Sequence, residues 1–105
     1  MPLAPRVTTE TLACSSIPVR ASISEFYGIV IWMYRPDHPP AHFHAQYGDT
    51  WAQVAIDDLR LLNGQLPARA LRLVREWALM HRPELAEDWR RAQEHRELLP
   101  IAPLP

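Results

Sequence analysis

His42-Phe43-His44-Ala45-Gln46-Tyr47-Gly48-Asp49-Thr50-Trp51-Ala52-Gln53-Val54-Ala55-Ile56 reads as a β-hairpin closed by Gly48-Asp49. Glycine reaches φ > 0 without steric cost, so a two-residue type II′ turn fits with Gly48 at its first position. A turn of that length pairs Tyr47 with Thr50, Gln46 with Trp51, Ala45 with Ala52, His44 with Gln53, Phe43 with Val54 and His42 with Ala55. Alternation then sends Phe43, Ala45, Tyr47, Ala52, Val54 and Ile56 to one face. His42, His44, Gln46, Trp51 and Gln53 go to the other. One face is a core, and the other is polar with a single Trp.

Upstream, Ile29-Val30-Ile31-Trp32-Met33-Tyr34 is apolar on both faces and β-branched, the pattern of a central strand. Arg35–Ala41 is a proline-stiffened loop between it and the hairpin. Downstream, Leu59–Leu62 fits a short fourth strand ended by Asn63-Gly64. Pro67 then opens a helix to His81, with Ala70, Leu73, Val74, Trp77 and His81 on one side and Arg69, Arg72, Arg75 and Glu76 on the other. Pro83 opens a second helix to about Glu97, turning Leu85, Trp89 and Ala92 inward, with Glu84, Glu87 and Asp88 near its N-terminus. The fold class is α+β: a three- or four-stranded antiparallel sheet packed against two C-terminal helices.

The 105 residues suffice for one core. Residues 1–21 are proline-rich without a usable period and read as an extension outside the core. Residues 22–99 form the domain, and 100–105 an extended tail. The chain has 11 Arg, no Lys and 12 acidic residues, a net charge of -1 that excludes a strongly basic nucleic-acid protein while allowing a local basic face. The single cysteine, Cys14, excludes an intramolecular disulfide or a zinc ribbon. No apolar run approaches the ~20 residues of a membrane span, and no secretory h-region opens the chain. The expected compartment is the cytoplasm.

Chemistry concentrates in Asp37-His38-Pro39-Pro40-Ala41-His42-Phe43-His44, which holds three of the five histidines. His-x-His on a strand points two imidazoles the same way, about 6–7 Å apart at Cα, a span two ligands of one metal bridge. His38, held extended by Pro39, can fold back as a third ligand, with Asp37 or Asp49 as an oxygen donor. A His38/His42/His44 set with an open position suits a divalent transition metal such as zinc or iron. The same pair suits acid–base work near neutrality, with His42 and His44 as catalytic groups. Beside them Trp51 can stack a base, and Arg69, Arg72 and Arg75 can hold phosphates, provided both groups meet in one groove. On a polar strand face, replacing either histidine by Ala is expected to change stability by only about half a kcal/mol. No Gly-rich phosphate loop, nucleophile elbow or Cys-x-x-Cys occurs.

Three blocks carry a resemblance: Ile23-Ser24-Glu25-Phe26-Tyr27-Gly28-Ile29-Val30-Ile31, then Asp37-His38-Pro39-Pro40-Ala41-His42-Phe43-His44-Ala45, then Leu66-Pro67-Ala68-Arg69-Ala70-Leu71-Arg72-Leu73-Val74-Arg75-Glu76-Trp77. In that order they resemble a small bacterial family, domain of unknown function 4160, over about Ile23–Leu99. The family brings no activity with it. The resemblance implies a neighbouring gene for a second small protein, an arrangement similar to a toxin–antitoxin pair. The function expected is therefore an RNA-interacting component of a two-gene module, with a ribonuclease-type toxin as its enzymatic form. A histidine-ligated metal-binding protein and an interaction module without catalysis are the alternatives.

Overall fold

The structure, a computed structural model, describes residues 19–105. Five strands run antiparallel in chain order: β1 Val19–Phe26, β2 Ile29–Arg35, β3 His42–Tyr47, β4 Thr50–Ala55 and β5 Leu61–Gly64. Helices α1, Ala68–Met80, and α2, Arg82–Gln93, follow. The β3–β4 register matches the turn-based pairing at all six positions, from Tyr47 opposite Thr50 to His42 opposite Ala55. Gly48 takes φ +60 and Asp49 does not share the positive sign, as a type II′ turn requires.

The sheet has five strands rather than three or four. The additional one is β1, whose first three residues belong to the stretch assigned to an extension; residues 1–18 lie outside the described part. A β-bulge interrupts the alternation of this strand. Ser22 lies opposite Trp32 and Ser24 opposite Ile31, leaving Ile23 as the extra residue. The inward phase therefore resumes at Phe26 instead of Glu25. At the other edge, β5 starts at Leu61 rather than Leu59, because Leu59 sits at φ +60 with its side chain buried. Gly64 closes this strand at φ +72, where a Cβ would lie 2.3 Å from the Trp51 carbonyl oxygen. Both helices begin next to the expected prolines, and the second stops at Gln93 rather than Glu97.

The core lies between the sheet and α1. Ile29, Ile31, Met33, Phe43, Ala45, Ala52 and Val54 face it from the strands, and Ala70, Val74 and Trp77 from the helix. Trp77 is fully buried, with ring centroids 5.3 Å from Phe26 and 5.9 Å from Phe43. Its indole N–H donates to the Ala102 carbonyl at 2.8 Å. That bond draws in the tail. Residues 96–105 have no regular secondary structure, yet Leu98 and Ile101 are buried in the core cluster. The Ile101 N–H donates at 2.8 Å to the carbonyl of Ile23 at the bulge. Tyr27 Oη donates to the Pro105 carbonyl at 2.7 Å.

Asp88 on α2 secures the start of this tail. The residue is 1% exposed, and Oδ1 accepts the Leu99 N–H at 2.9 Å while Oδ2 has no partner among the described residues. Burial pushes the Asp88 carboxyl above its ordinary range, opposed by the Leu99 hydrogen bond and by Arg91. An acid whose folded pKa is raised favours folding below its unfolded value, about 4, and loses that contribution as pH rises through the folded value. Asn at this position keeps an acceptor for Leu99 and has no charge to bury. Urea denaturation is expected to show Asp88→Asn gaining on the wild type between pH 4 and pH 7. A constant difference across that interval would contradict a raised Asp88.

Candidate metal centre

Alternation along β3 turns Phe43 into the core and sends His42 and His44 to the opposite face of the sheet. That face is not open at their positions. His42 is 4% and His44 5% exposed. The Trp32 indole stacks on His44 at 5.1 Å and 16°, and Tyr34 meets the same ring edge-on at 4.9 Å. Trp89 of α2 lies 5.3 Å from the His42 ring. Burying two imidazoles requires partners for their nitrogens, since an unsatisfied buried polar group costs about 1–3 kcal/mol.

The β2–β3 loop supplies them. Gln93 at the end of α2 holds the loop through both backbone groups of Asp37, accepting its N–H at 3.1 Å and donating to its carbonyl at 2.8 Å. Asp37 Oδ1 then accepts the His38 N–H at 2.8 Å. Oδ2 is left 3.1 Å from His42 Nε2 and 3.1 Å from His44 Nε2. His42 Nδ1 lies 2.8 Å from the Pro40 carbonyl. A carbonyl only accepts, so Nδ1 carries the proton and a neutral His42 presents a bare lone pair at Nε2. That nitrogen is buried, and its contact with Asp37 lacks hydrogen-bond geometry. Burial holds the His44 imidazole below its ordinary pKa, against the raising effect of its hydrogen bond to Asp37, so His44 is neutral near pH 7. In that neutral tautomer of His42 a nitrogen lone pair faces a carboxylate oxygen, with a second ring nitrogen at the same distance. The ligand atoms of Asp37, His42 and His44 all lie within 4.8 Å of one another.

Two expectations about the site are corrected. His38 is exposed and outside this cluster; its backbone N–H binds Asp37, and the carboxylate occupies the place assigned to its imidazole. Of the two carboxylates considered, Asp49 is exposed in the turn at the far end of β3, and Asp37 is the one beside the histidines. The arginine stripe does not meet the histidines in one groove either. Arg69, Arg72 and Arg75 are exposed on α1, which covers the Phe43 face, and Arg75 Nε donates to the Leu59 carbonyl at 3.0 Å. His44 and Trp51 point away from that helix, across the thickness of the sheet. Trp51 does share a cavity with His44, at 44% exposure. Of the remaining histidines, His81 pairs with Glu84 at 2.9 Å and His95 is exposed. Cys14 lies outside the described residues. Sequence reasoning missed Gln93 and Trp89, which stand about fifty residues from the motif they support and carry no local signal of it.

The model of the family described as Domain of unknown function (DUF4160) matches residues 28–90. The chain belongs to this family. The matched span contains Asp37, His42, His44 and Trp51, and is shorter at both ends than the Ile23–Leu99 resemblance. No curated protein and no solved structure matches the chain at a significant level. Among the described residues, no helix is long and apolar enough to cross a membrane.

The burial revises the expected effect of substitution. His42→Ala removes a buried hydrogen bond and a ring contact, and His44→Ala opens a gap under Trp32. Each is expected to lower stability by about 2 kcal/mol, while exposed His38→Ala stays within about 0.5 kcal/mol. Urea denaturation of the three variants checks this. Equal small effects at all three positions would contradict the burial.

Proposed function

We propose that this DUF4160 protein binds a divalent transition metal through Asp37 Oδ2, His42 Nε2 and His44 Nε2. The observation that carries the proposal is the buried, hydrogen-bond-free Nε2 of His42 aimed at a carboxylate oxygen. Lone pair opposes lone pair there unless a proton or a metal ion lies between. The spacing suits one. Ligands at about 2.0–2.1 Å from a metal, separated by 90–110°, stand about 2.8–3.4 Å from each other, and both Asp37 contacts measure 3.1 Å.

The surrounding groups support the same reading. Metal-bound histidines typically donate their other nitrogen to a carbonyl or carboxylate, which sets the tautomer and aims the ligand. The Pro40 carbonyl does this for His42. The His38 N–H on Oδ1 and the Gln93 clamp orient the carboxylate. Two imidazoles and one carboxylate suit zinc or iron(II) and leave positions for water or substrate. Solvent reaches the cluster most readily at Asp37, whose side chain is 16% exposed against 5% and 6% for the histidines. A metal held there with an open position would supply Lewis acidity and lower the pKa of a bound water. The separation of the arginine stripe from the histidines argues against RNA cleavage by that combination of groups.

Elemental analysis of purified protein is expected to give near-stoichiometric zinc, iron or a related metal. EDTA should lower the melting temperature, and re-addition restore it, since a ligand at 100 times its Kd stabilises by about 2.7 kcal/mol. Asp37→Asn, similar in size but neutral, should lose most of the metal while His38→Ala retains it. Metal-free protein whose melting is unmoved by added zinc, iron(II), cobalt or nickel would overturn the proposal.

A further inference from the structure

On the sheet face turned away from α1, beyond the metal cluster, lies an open cavity of about 340 Å³. Three pairs across the sheet build it: Arg20 opposite Tyr34, Trp32 opposite His44, and Gln46 opposite Trp51, with Gln53 next to His44. The volume falls in the range of small-ligand sites, about 300–1,000 Å³. Its lining is selective in character. Among the described residues Arg20 is the one permanently charged side chain of the lining, and no carboxylate takes part.

Arg20 is presented in a way that suits an anion. Its guanidinium lies 3.9 Å over the Trp32 ring, and one terminal nitrogen donates to Gln46 Oε1 at 3.4 Å. Stacking on an indole restrains the planar fork, and its remaining donors are unspent among the described residues. Trp51 stands on β4 with paired strands on both sides, yet 44% of it is exposed. That indole face can take an aromatic ring. The Gln53 side chain makes no hydrogen bond among the described residues, and an amide offers a donor and an acceptor together. An aromatic carboxylate would satisfy Arg20 and Trp51 but leave that amide edge idle. A nucleobase engages both of its functions.

We propose that this cavity binds a nucleotide, its base stacked on Trp51 with its edge on the Gln53 amide and its phosphate on Arg20. The inference does not rest on the metal, because Asp37 and His42 take no part in the cavity and only the His44 ring is shared.

Tryptophan fluorescence and calorimetric titration of the full chain with AMP, CMP, GMP and UMP test it. At least one should saturate at submillimolar concentration, and the corresponding nucleoside should bind about tenfold more weakly. Arg20→Gln should abolish that difference between nucleotide and nucleoside. Trp51→Ala should weaken both about tenfold or more. Both positions are exposed, so melting curves should match the wild type. A 5′-phosphorylated tetranucleotide separates the sources of the same chemistry: tighter binding than the mononucleotide assigns the site to a strand end, and weaker binding to the free nucleotide. Absence of saturation at millimolar nucleotide would overturn the proposal. So would inorganic phosphate competing as well as a nucleotide, or Trp51→Ala binding like the wild type. Metal content is read separately, so failure here leaves the Asp37 cluster untouched and the reverse also holds.

Discussion

Strand β3 is covered on both faces, and much of the molecule follows from the need to satisfy that. On one side Phe43 and Ala45 meet Trp77 and the core, an ordinary hydrophobic burial worth roughly 25 cal/mol per Å² of apolar surface. On the other side the alternation leaves two imidazoles. Four aromatic or polar groups from three other segments close over them: Trp32 and Tyr34 from β2, Asp37 from the loop, and Trp89 from α2. A sheet this small could expose the histidines at little cost. Instead the fold places the ring nitrogens around one carboxylate oxygen, an arrangement that is unstable electrostatically unless a proton or a metal ion shares it.

The loop and the second helix serve this cluster as much as they serve the core. Gln93 uses both functions of its amide on the backbone of Asp37, so the carboxylate is positioned by the end of α2 rather than by the strand that bears the histidines. The C-terminal segment, in turn, secures the helices. Trp77 bonds to Ala102, Asp88 to Leu99, and Ile101 to the bulge carbonyl of β1. A substitution in the tail can therefore loosen the sheet edge and the helix layer together. The bulge at Ile23 has a structural use of its own, since it frees the carbonyl that Ile101 needs.

The two faces of the sheet divide the labour. The α1 face is sealed by the core, and the arginines of α1 lie outside it in solvent. The opposite face carries the buried Asp37–His42–His44 cluster and, beside it, the cavity between Arg20 and Trp51. His44 is the partition between them: one ring nitrogen points at Asp37, and its plane lies against Trp32, which in turn carries Arg20.

Local periodicity and turn chemistry determined the hairpin to the residue, because Gly48 dictates the turn and a one-residue slip would reverse every side chain on two strands. The same local signals placed both helices next to Pro67 and Pro83 and marked Asp37–His44 as the chemical segment. Tertiary structure alone decided that β1 joins the sheet, since its bulge erases the alternation a sequence reader follows. It alone decided that the polar face is buried at His42 and His44, because the covering Trp89 is distant in the chain. And it alone exchanged His38 for Asp37 and parted the arginines from the histidines. Which groups converge on a point depends on how loops and helices fold back over the sheet, and those long-range contacts leave no period in the sequence.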